Sequence, residues 1–166
     1  MPDRQYPRNL DVMPADDRPP SAAAPTPGSA TPDTLAPLQA ALGEYFAPWI
    51  QALGLRVEAL LPDGVTLHLP FDDALARHGG MACGQALMAA ADTAAAIALM
   101  RHFGQFRPCT TVQLNTSFLR PLVSQDALVD ARVLRAGKSL AFIEADLRGA
   151  ADGKCVARAS TTYALL

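Results

Sequence analysis

The longest apolar run of the chain covers residues 83–100, CGQALMAAADTAAAIALM, in which one charged residue, Asp92, interrupts alanine and long aliphatic side chains. Alanine, leucine and methionine favour helices, and the run is much longer than an ordinary strand, so it predicts a helix. Because this helix would be apolar on every face, it belongs inside a folded domain or inside a membrane. A membrane span needs about 20 uncharged apolar residues, and Asp92 would lie near its centre. The pattern therefore favours a buried helix in a globular fold.

A second helix is predicted at residues 33–53, where apolar side chains recur every three or four positions. Thr31 can cap this helix, and Pro32 suits its first turn. Pro48 comes late in the pattern and predicts a kink or an early end near Ala47, because proline has no N–H to donate within a helix.

Alternating patterns predict strands in most of the remaining chain. Residues 55–61 and 65–69 alternate around Pro62-Asp63-Gly64, which is typical of a hairpin. Residues 110–119 alternate strictly, and this predicts one buried face made of Val112, Leu114, Thr116 and Phe118. Further strands are predicted at 127–134, 139–147 and 154–166, and a loop with two adjacent glycines is predicted at 71–82.

This order of elements predicts an α+β domain at residues 33–166, in which a curved antiparallel sheet wraps the long central helix. The chain has 166 residues, half of them apolar, which suits one domain with a proper core. Residues 1–32 hold eight of the fourteen prolines and few large apolar side chains. That segment is expected to be a disordered arm, because it cannot bury enough surface to offset its ordering entropy.

Charge and cysteine content narrow the class of function. A net charge of −2 without a cluster of Lys and Arg argues against a nucleic-acid partner. Cys83, Cys109 and Cys155 have no metal-ligand spacing and cannot all pair, so no metal site and a reduced, cytoplasmic setting are expected. No apolar segment follows the N-terminal charges, as a secretory signal would require.

Several segments together resemble one family, the hotdog-fold acyl-CoA thioesterases of the phenylacetate-type, or PaaI-like, group. The resemblance covers residues 35–166 and rests on LMAAADTAAA, TTVQLNTSFLRPL, RVLRAGKSLAFIEADL and ARASTTYAL, in this order. It implies a hotdog fold and a thioester hydrolase that acts on acyl-CoA. Coenzyme A would then be part of the substrate, and no separate cofactor is expected.

The resemblance also implies roles for residues of the central helix. In that family the helix opens with His-Gly-Gly, and an acidic residue nine positions after the His is the general base or the nucleophile. Asp92 takes the acidic position here, and the backbone N–H of Gly84 takes the position that holds the thioester carbonyl oxygen. Cys83 and Gln85 stand where the family has His and the second Gly, while the visible His78-Gly79-Gly80 comes five residues too early.

Other residues are implied to contact the substrate or border the coenzyme A groove: Gln85, Thr93, His78, Cys83, Thr111, Arg120, Gly137, Lys138 and Ser139. Each has a structural alternative. Asp92 can be a buried group bonded to Thr93, Thr111 or a backbone amide, since an unpaired buried carboxylate is costly. Cys83 can be a thiol nucleophile or a small buried residue, and Arg120 can pair with a phosphate or lie on the surface.

The spacing of the two main candidates predicts an oligomer. Gly84 and Asp92 are eight residues apart, which corresponds to about 12 Å along a helix. One thioester cannot touch both within one subunit, so joint action requires a homodimer with two composite sites, which can pair again as a dimer of dimers. Two alternatives remain open on the same fold, a non-catalytic acyl-CoA binding protein and an acyl-thioester hydratase or dehydratase.

Overall fold

The computed structural model describes residues 35–166. The N-terminal arm, the predicted cap Thr31 and the predicted helix start at Asp33 lie outside these residues. The helices are α1 (Ala36–Glu44), α2 (Pro48–Gln51) and α3 (Gly84–Phe103). The strands are β1 (Arg56–Leu61), β2 (Gly64–Leu69), β3 (Ala76–Arg77), β4 (Met81–Ala82), β5 (Cys109–Phe118), β6 (Ala127–Ala136), β7 (Leu140–Gly149) and β8 (Cys155–Leu165).

Six strands form one antiparallel sheet in the order β1-β2-β6-β7-β8-β5, with β1 and β5 at its edges. The long helix α3 packs against the inner face of this sheet, mainly on the adjacent strands β6 and β2. Both hairpins predicted from turn residues, β1–β2 and β7–β8, are present. The predicted α+β arrangement of a sheet around a central helix is therefore confirmed.

The central helix begins one residue after Cys83 and continues to Phe103, three residues beyond the predicted end. Gly104 ends it in the left-handed conformation with φ 71°, which glycine adopts at little cost. Alanine brings α3 close to the sheet, because Ala90, Ala91, Ala94 and Ala95 are all fully buried. Within residues 35–166, no helix combines the length and hydropathy needed to cross a lipid bilayer.

The predicted helix at 33–53 is two helices in the described chain. The first ends at Glu44, and the second begins at Pro48 after Ala47, whose backbone is extended with ψ 148°. Proline disfavours helical backbone in the residue before it, so Pro48 causes the early end that the sequence predicts near Ala47.

The prediction of one buried face on β5 is wrong for the single chain. Val112 is 56% exposed and Phe118 is 50% exposed. The strand lies at a sheet edge, and Val112 is an extra residue between the pairs Thr111–Tyr163 and Gln113–Thr162. Such a bulge shifts the alternation of faces, so residues before and after Val112 do not follow one period-two pattern.

Replacement of Gly64 by alanine is expected to destabilise the domain by about 2–4 kcal/mol. A Cβ at Gly64 would lie 1.8 Å from the carbonyl oxygen of Ala131, so β2 and β6 would have to separate. Gly43 in α1 is the matched control, because a Cβ there meets no atom within 4 Å and alanine should stabilise the helix by about 0.5–1 kcal/mol. Urea unfolding measures both values, and a Gly64→Ala variant as stable as the wild type would contradict the close approach of the two strands.

Candidate active site

Asp92 projects from the middle of α3 towards the paired strands β5 and β8. Its Oδ1 atom accepts hydrogen bonds from the Tyr163 hydroxyl at 2.7 Å and from Thr111 Oγ1 at 3.1 Å. Thr111 Oγ1 also lies 3.4 Å from Oδ2. Because Thr111 and Tyr163 are register partners, their side chains leave the sheet on the same face and reach the same carboxylate.

The Tyr163 hydroxyl acts as a donor in this arrangement. The side chain is buried, with 4% of the residue exposed, and burial raises the pKa of the phenol far above its ordinary value. The charge of Asp92 raises this pKa further. The raised pKa keeps the proton on Tyr163, so the phenol donates to the carboxylate of Asp92.

Two cavities meet at Asp92. The first, here named the aromatic cavity, has a volume of about 320 Å³ and is lined by Tyr45, Phe46, Phe103 and Phe106 together with Asp92 and Tyr163. The second, named the α2–α3 cavity, has a volume of about 410 Å³ and is lined by Trp49, Ile50, Gln85, Met88 and Thr93 together with Asp92. Phe46 also borders both cavities. The carboxylate thus lies between two largely apolar spaces.

Aromatic and charged side chains shape the mouth of the aromatic cavity. The rings of Tyr45 and Phe106 stack with their centroids 4.3 Å apart. The guanidinium carbon of Arg107 lies 5.1 Å from the centre of the Phe103 ring, and Arg107 also donates to the carbonyl oxygen of Lys138 at 3.1 Å. This contact joins the cavity mouth to the β6–β7 turn.

Cys109 lines the same cavity but is a poor nucleophile. Burial raises the pKa of its thiol, and the nearby negative charge of Asp92 raises it further. The thiolate is the reactive form of cysteine, so this environment disfavours covalent chemistry at Cys109.

The N-terminus of α3 lies at a different place from Asp92 on the same helix. Gly84 is its first residue, and Cys83 precedes it with extended backbone angles of φ −71° and ψ 146°. The first N–H groups of a helix have no acceptor within the helix, and they carry the positive end of its dipole. The Phe118 ring packs over Gly84, where an added Cβ would be 3.0 Å from the ring.

Solved structures share this architecture, and curated relatives match part of the sequence. A thioesterase of Pseudomonas aeruginosa, solved as a variant, has a TM-score of 0.72 and 25% identity, with 85% of this chain and 99% of that chain covered. A Silicibacter protein described as a thioesterase has a TM-score of 0.72 and 29% identity, with 80% and 91% covered. A Thermoplasma acidophilum protein named as an esterase is 24% identical over 116 residues, which are 69% of this chain and 86% of that one.

The family model of the thioesterase superfamily matches residues 78–156, which contain α3 and β5 to β7. Residues 78–156 of this chain match the thioesterase superfamily, and the described domain has the hotdog fold of its thioesterase neighbours. The predicted fold family is thereby confirmed, and the predicted class of enzyme, a thioester hydrolase, is confirmed at the level of the superfamily. The PaaI-like subfamily stays a prediction.

The predicted site residues fall into two groups. Thr111 bonds to Asp92, while Gln85 and Thr93 line the α2–α3 cavity beside it. The others line neither cavity: Cys83, Gly84, His78, Arg120, Gly137, Lys138 and Ser139. The catalytic or binding role of every residue in both groups, and of Asp92, stays a prediction.

In the single chain, residues of this second group form turns or make contacts with main-chain groups. His78 is exposed, and Gly79 and Gly80, with φ 90° and 70°, form the turn between β3 and β4. The Arg120 side chain donates to the carbonyl oxygen of Cys155 at 2.9 Å. The carbonyl oxygen of Ser139 accepts the N–H of Leu165 at 2.8 Å.

Sequence reasoning missed Tyr163 and Arg107. Tyr163 lies in an alternating strand, where a large aromatic residue indicates only a core position. Its contact with Asp92 depends on the pairing of β5 with β8, and no local pattern encodes that pairing. Arg107, in the segment between α3 and β5, carried no signal beyond its charge.

Proposed function

We propose that this thioesterase-superfamily domain hydrolyses the thioester of a small or medium acyl-CoA. Asp92 serves as the general base or the nucleophile, and the Gly84 N–H of a second subunit polarises the thioester carbonyl. The observation that carries the proposal is the carboxylate of Asp92, held by two hydroxyl donors at the junction of two cavities.

Thioester hydrolysis needs a polarised carbonyl, an activated water or a nucleophile, and room for the acyl group. The aromatic cavity supplies the room, since its volume lies at the lower end of the range of about 300–1,000 Å³ for small-molecule pockets. The partly buried Asp92 supplies the base or the nucleophile. The free N–H groups at the start of α3 supply the polarising donors.

The distance along α3 supports a dimer. Because α3 is one continuous helix from Gly84 to Phe103, its first residue and Asp92 are separated by about 12 Å. Each site would therefore combine Asp92 of one subunit with Gly84 of the other. The edge strand β5 supports the same assembly, because it pairs only with β8 in the described chain and exposes Val112, Phe118 and neighbouring Leu119.

Mixing two inactive variants is expected to restore activity. In a heterodimer of Asp92→Asn and Gly84→Pro subunits, one composite site keeps both intact groups and the other keeps neither. The isolated heterodimer should therefore have about one half of the wild-type rate per subunit, and an unseparated random mixture about one quarter, as two-fold symmetry requires. Co-expression with two affinity tags isolates the heterodimer, and release of free thiol from acyl-CoA measures its rate.

Each variant prepared alone under the same conditions is the control for this experiment. A heterodimer as inactive as the two parents would show that Asp92 and Gly84 act within one subunit or that one of them plays no part. Analytical ultracentrifugation of the wild type provides the independent measure of assembly.

The activity itself is tested by incubating the purified protein with acyl-CoAs of increasing length, including aryl-acyl groups, and a thiol reagent. Thiol release that depends on Asp92 supports the hydrolase. Cys83 and Gln85, which replace the His and Gly of the resembled family, favour a second candidate, a non-catalytic acyl-CoA binding protein. Tight binding without thiol release, unchanged in Asp92→Asn, would establish the binding protein instead.

A further inference from the structure

We propose that Tyr163 is a positioning residue that anchors Asp92 through Oδ1 and leaves Oδ2 as the reacting oxygen. The proposal rests on the proposed role of Asp92 in thioester hydrolysis. It assigns a function to a buried side chain at the end of the last strand, and it distinguishes the two oxygens of one carboxylate.

The contacts of Asp92 are unequal. Oδ1 accepts a short hydrogen bond of 2.7 Å from Tyr163 and a second hydrogen bond of 3.1 Å from Thr111, whereas Oδ2 has, among residues 35–166, only the 3.4 Å contact with Thr111. The Tyr163 hydroxyl also lies 2.9 Å from the main-chain carbonyl oxygen of Asp92. Its single proton goes to the carboxylate, because a charged acceptor forms the stronger bond. Two donors on Oδ1 fix the rotation of the carboxylate group and leave the lone pairs of Oδ2 available.

Because Oδ1 already accepts two hydrogen bonds, we assign the proton transfer to Oδ2. As a general base, Oδ2 takes a proton from a water molecule while the water oxygen bonds to the thioester carbon. The tetrahedral intermediate then collapses, the C–S bond breaks, and the thiolate takes the proton back from Oδ2. Tyr163 loses no proton in either step, which agrees with the raised pKa of its buried phenol. If Asp92 is the nucleophile, Oδ2 bonds to the thioester carbon and the C–S bond breaks to release the thiolate. Water then hydrolyses the resulting mixed anhydride, which frees the carboxylic acid and restores the carboxylate.

The test is the Tyr163→Phe variant, which keeps the buried ring and removes only the hydroxyl. We expect kcat to fall about ten- to a hundredfold, the range for a lost hydrogen bond to a charged group, with KM changed less than about threefold. A loss in kcat with little change in KM is the pattern expected when the reacting group is misplaced and substrate binding is intact. Thr162→Val is the matched control, because it removes a hydroxyl that bonds to Gln113 rather than to Asp92, and it should behave as the wild type.

Two further measurements keep the outcomes separate. Replacement of Tyr163 by 3-fluorotyrosine keeps the ring and the hydroxyl, so it should restore kcat to near the wild-type value. The 13C chemical shift of the Asp92 carboxyl carbon, assigned with Asp92→Asn, reports the loss of the hydrogen bond without any substrate. A Tyr163→Phe protein with wild-type kcat and an unchanged carboxyl shift would overturn the positioning role. If the wild type hydrolyses no thioester, but Tyr163→Phe changes the carboxyl shift of Asp92, only the proposed function is overturned.

Discussion

Replacing Asp92 by asparagine is expected to lower kcat by about a thousandfold, within the range attributed to a general base. The amide has nearly the same shape as the carboxylate and still offers an oxygen to the Tyr163 hydroxyl, so the fold of the site should persist. It cannot take a proton from water or attack a thioester, because its nitrogen lone pair is delocalised. Thiol release at saturating acyl-CoA measures the loss.

The control for this prediction is Asp146→Asn. Asp146 is a carboxylate on the outer face of the sheet, where it pairs with Arg158 at 2.9 Å, and its replacement should leave the rate unchanged. An Asp92→Asn variant that retains a tenth or more of the wild-type rate would show that another group activates the water.

Gly84→Pro is expected to lower kcat by about a hundred- to a thousandfold, as for loss of one oxyanion donor. Proline is tolerated at the first helical position, and it requires an extended residue before it. Cys83 already has φ −71° and ψ 146°, so the substitution removes the N–H group while the backbone stays in place. Thiol release under the same conditions gives the size of the effect.

Gly84→Ala distinguishes the effect of losing the N–H donor from the effect of adding side-chain atoms. It keeps the donor but places a Cβ 3.0 Å from the Phe118 ring, which is half-exposed and can turn away. We expect Gly84→Ala to keep most of the activity. Equal losses in the alanine and proline variants would instead assign the effect to crowding against Phe118.

The fold could be predicted from the sequence where one segment carries its own signal. The alanine-rich run predicts α3, because a buried helix is the structure that suits a long run of alanine and aliphatic residues. Pro48 predicts the break between α1 and α2. Turn residues mark the β1–β2 hairpin, and alternation marks the later strands. Each of these signals depends on neighbours within a few positions.

The site could be predicted only in part, for the same physical reason. A charge in a buried helix singles out Asp92 from the sequence alone. Its partner Tyr163 lies 71 residues away in the chain, and only the pairing of β5 with β8 brings the two together. The bulge at Val112 could not be predicted from the sequence either. Apolar and polar residue types keep alternating through Val112, but the side chains do not keep alternating between the two faces of the sheet.

The buried alanines of α3 separate positions where substitution would disturb the fold from positions where it would not. Ala90, Ala91, Ala94 and Ala95 have no exposed surface, so a larger side chain there would push the helix away from the sheet. Tyr45, Phe46 and Phe106 lie outside this contact, on the segments that border the aromatic cavity. New substrate preferences can therefore be selected by varying these peripheral segments while the helix–sheet framework is held constant.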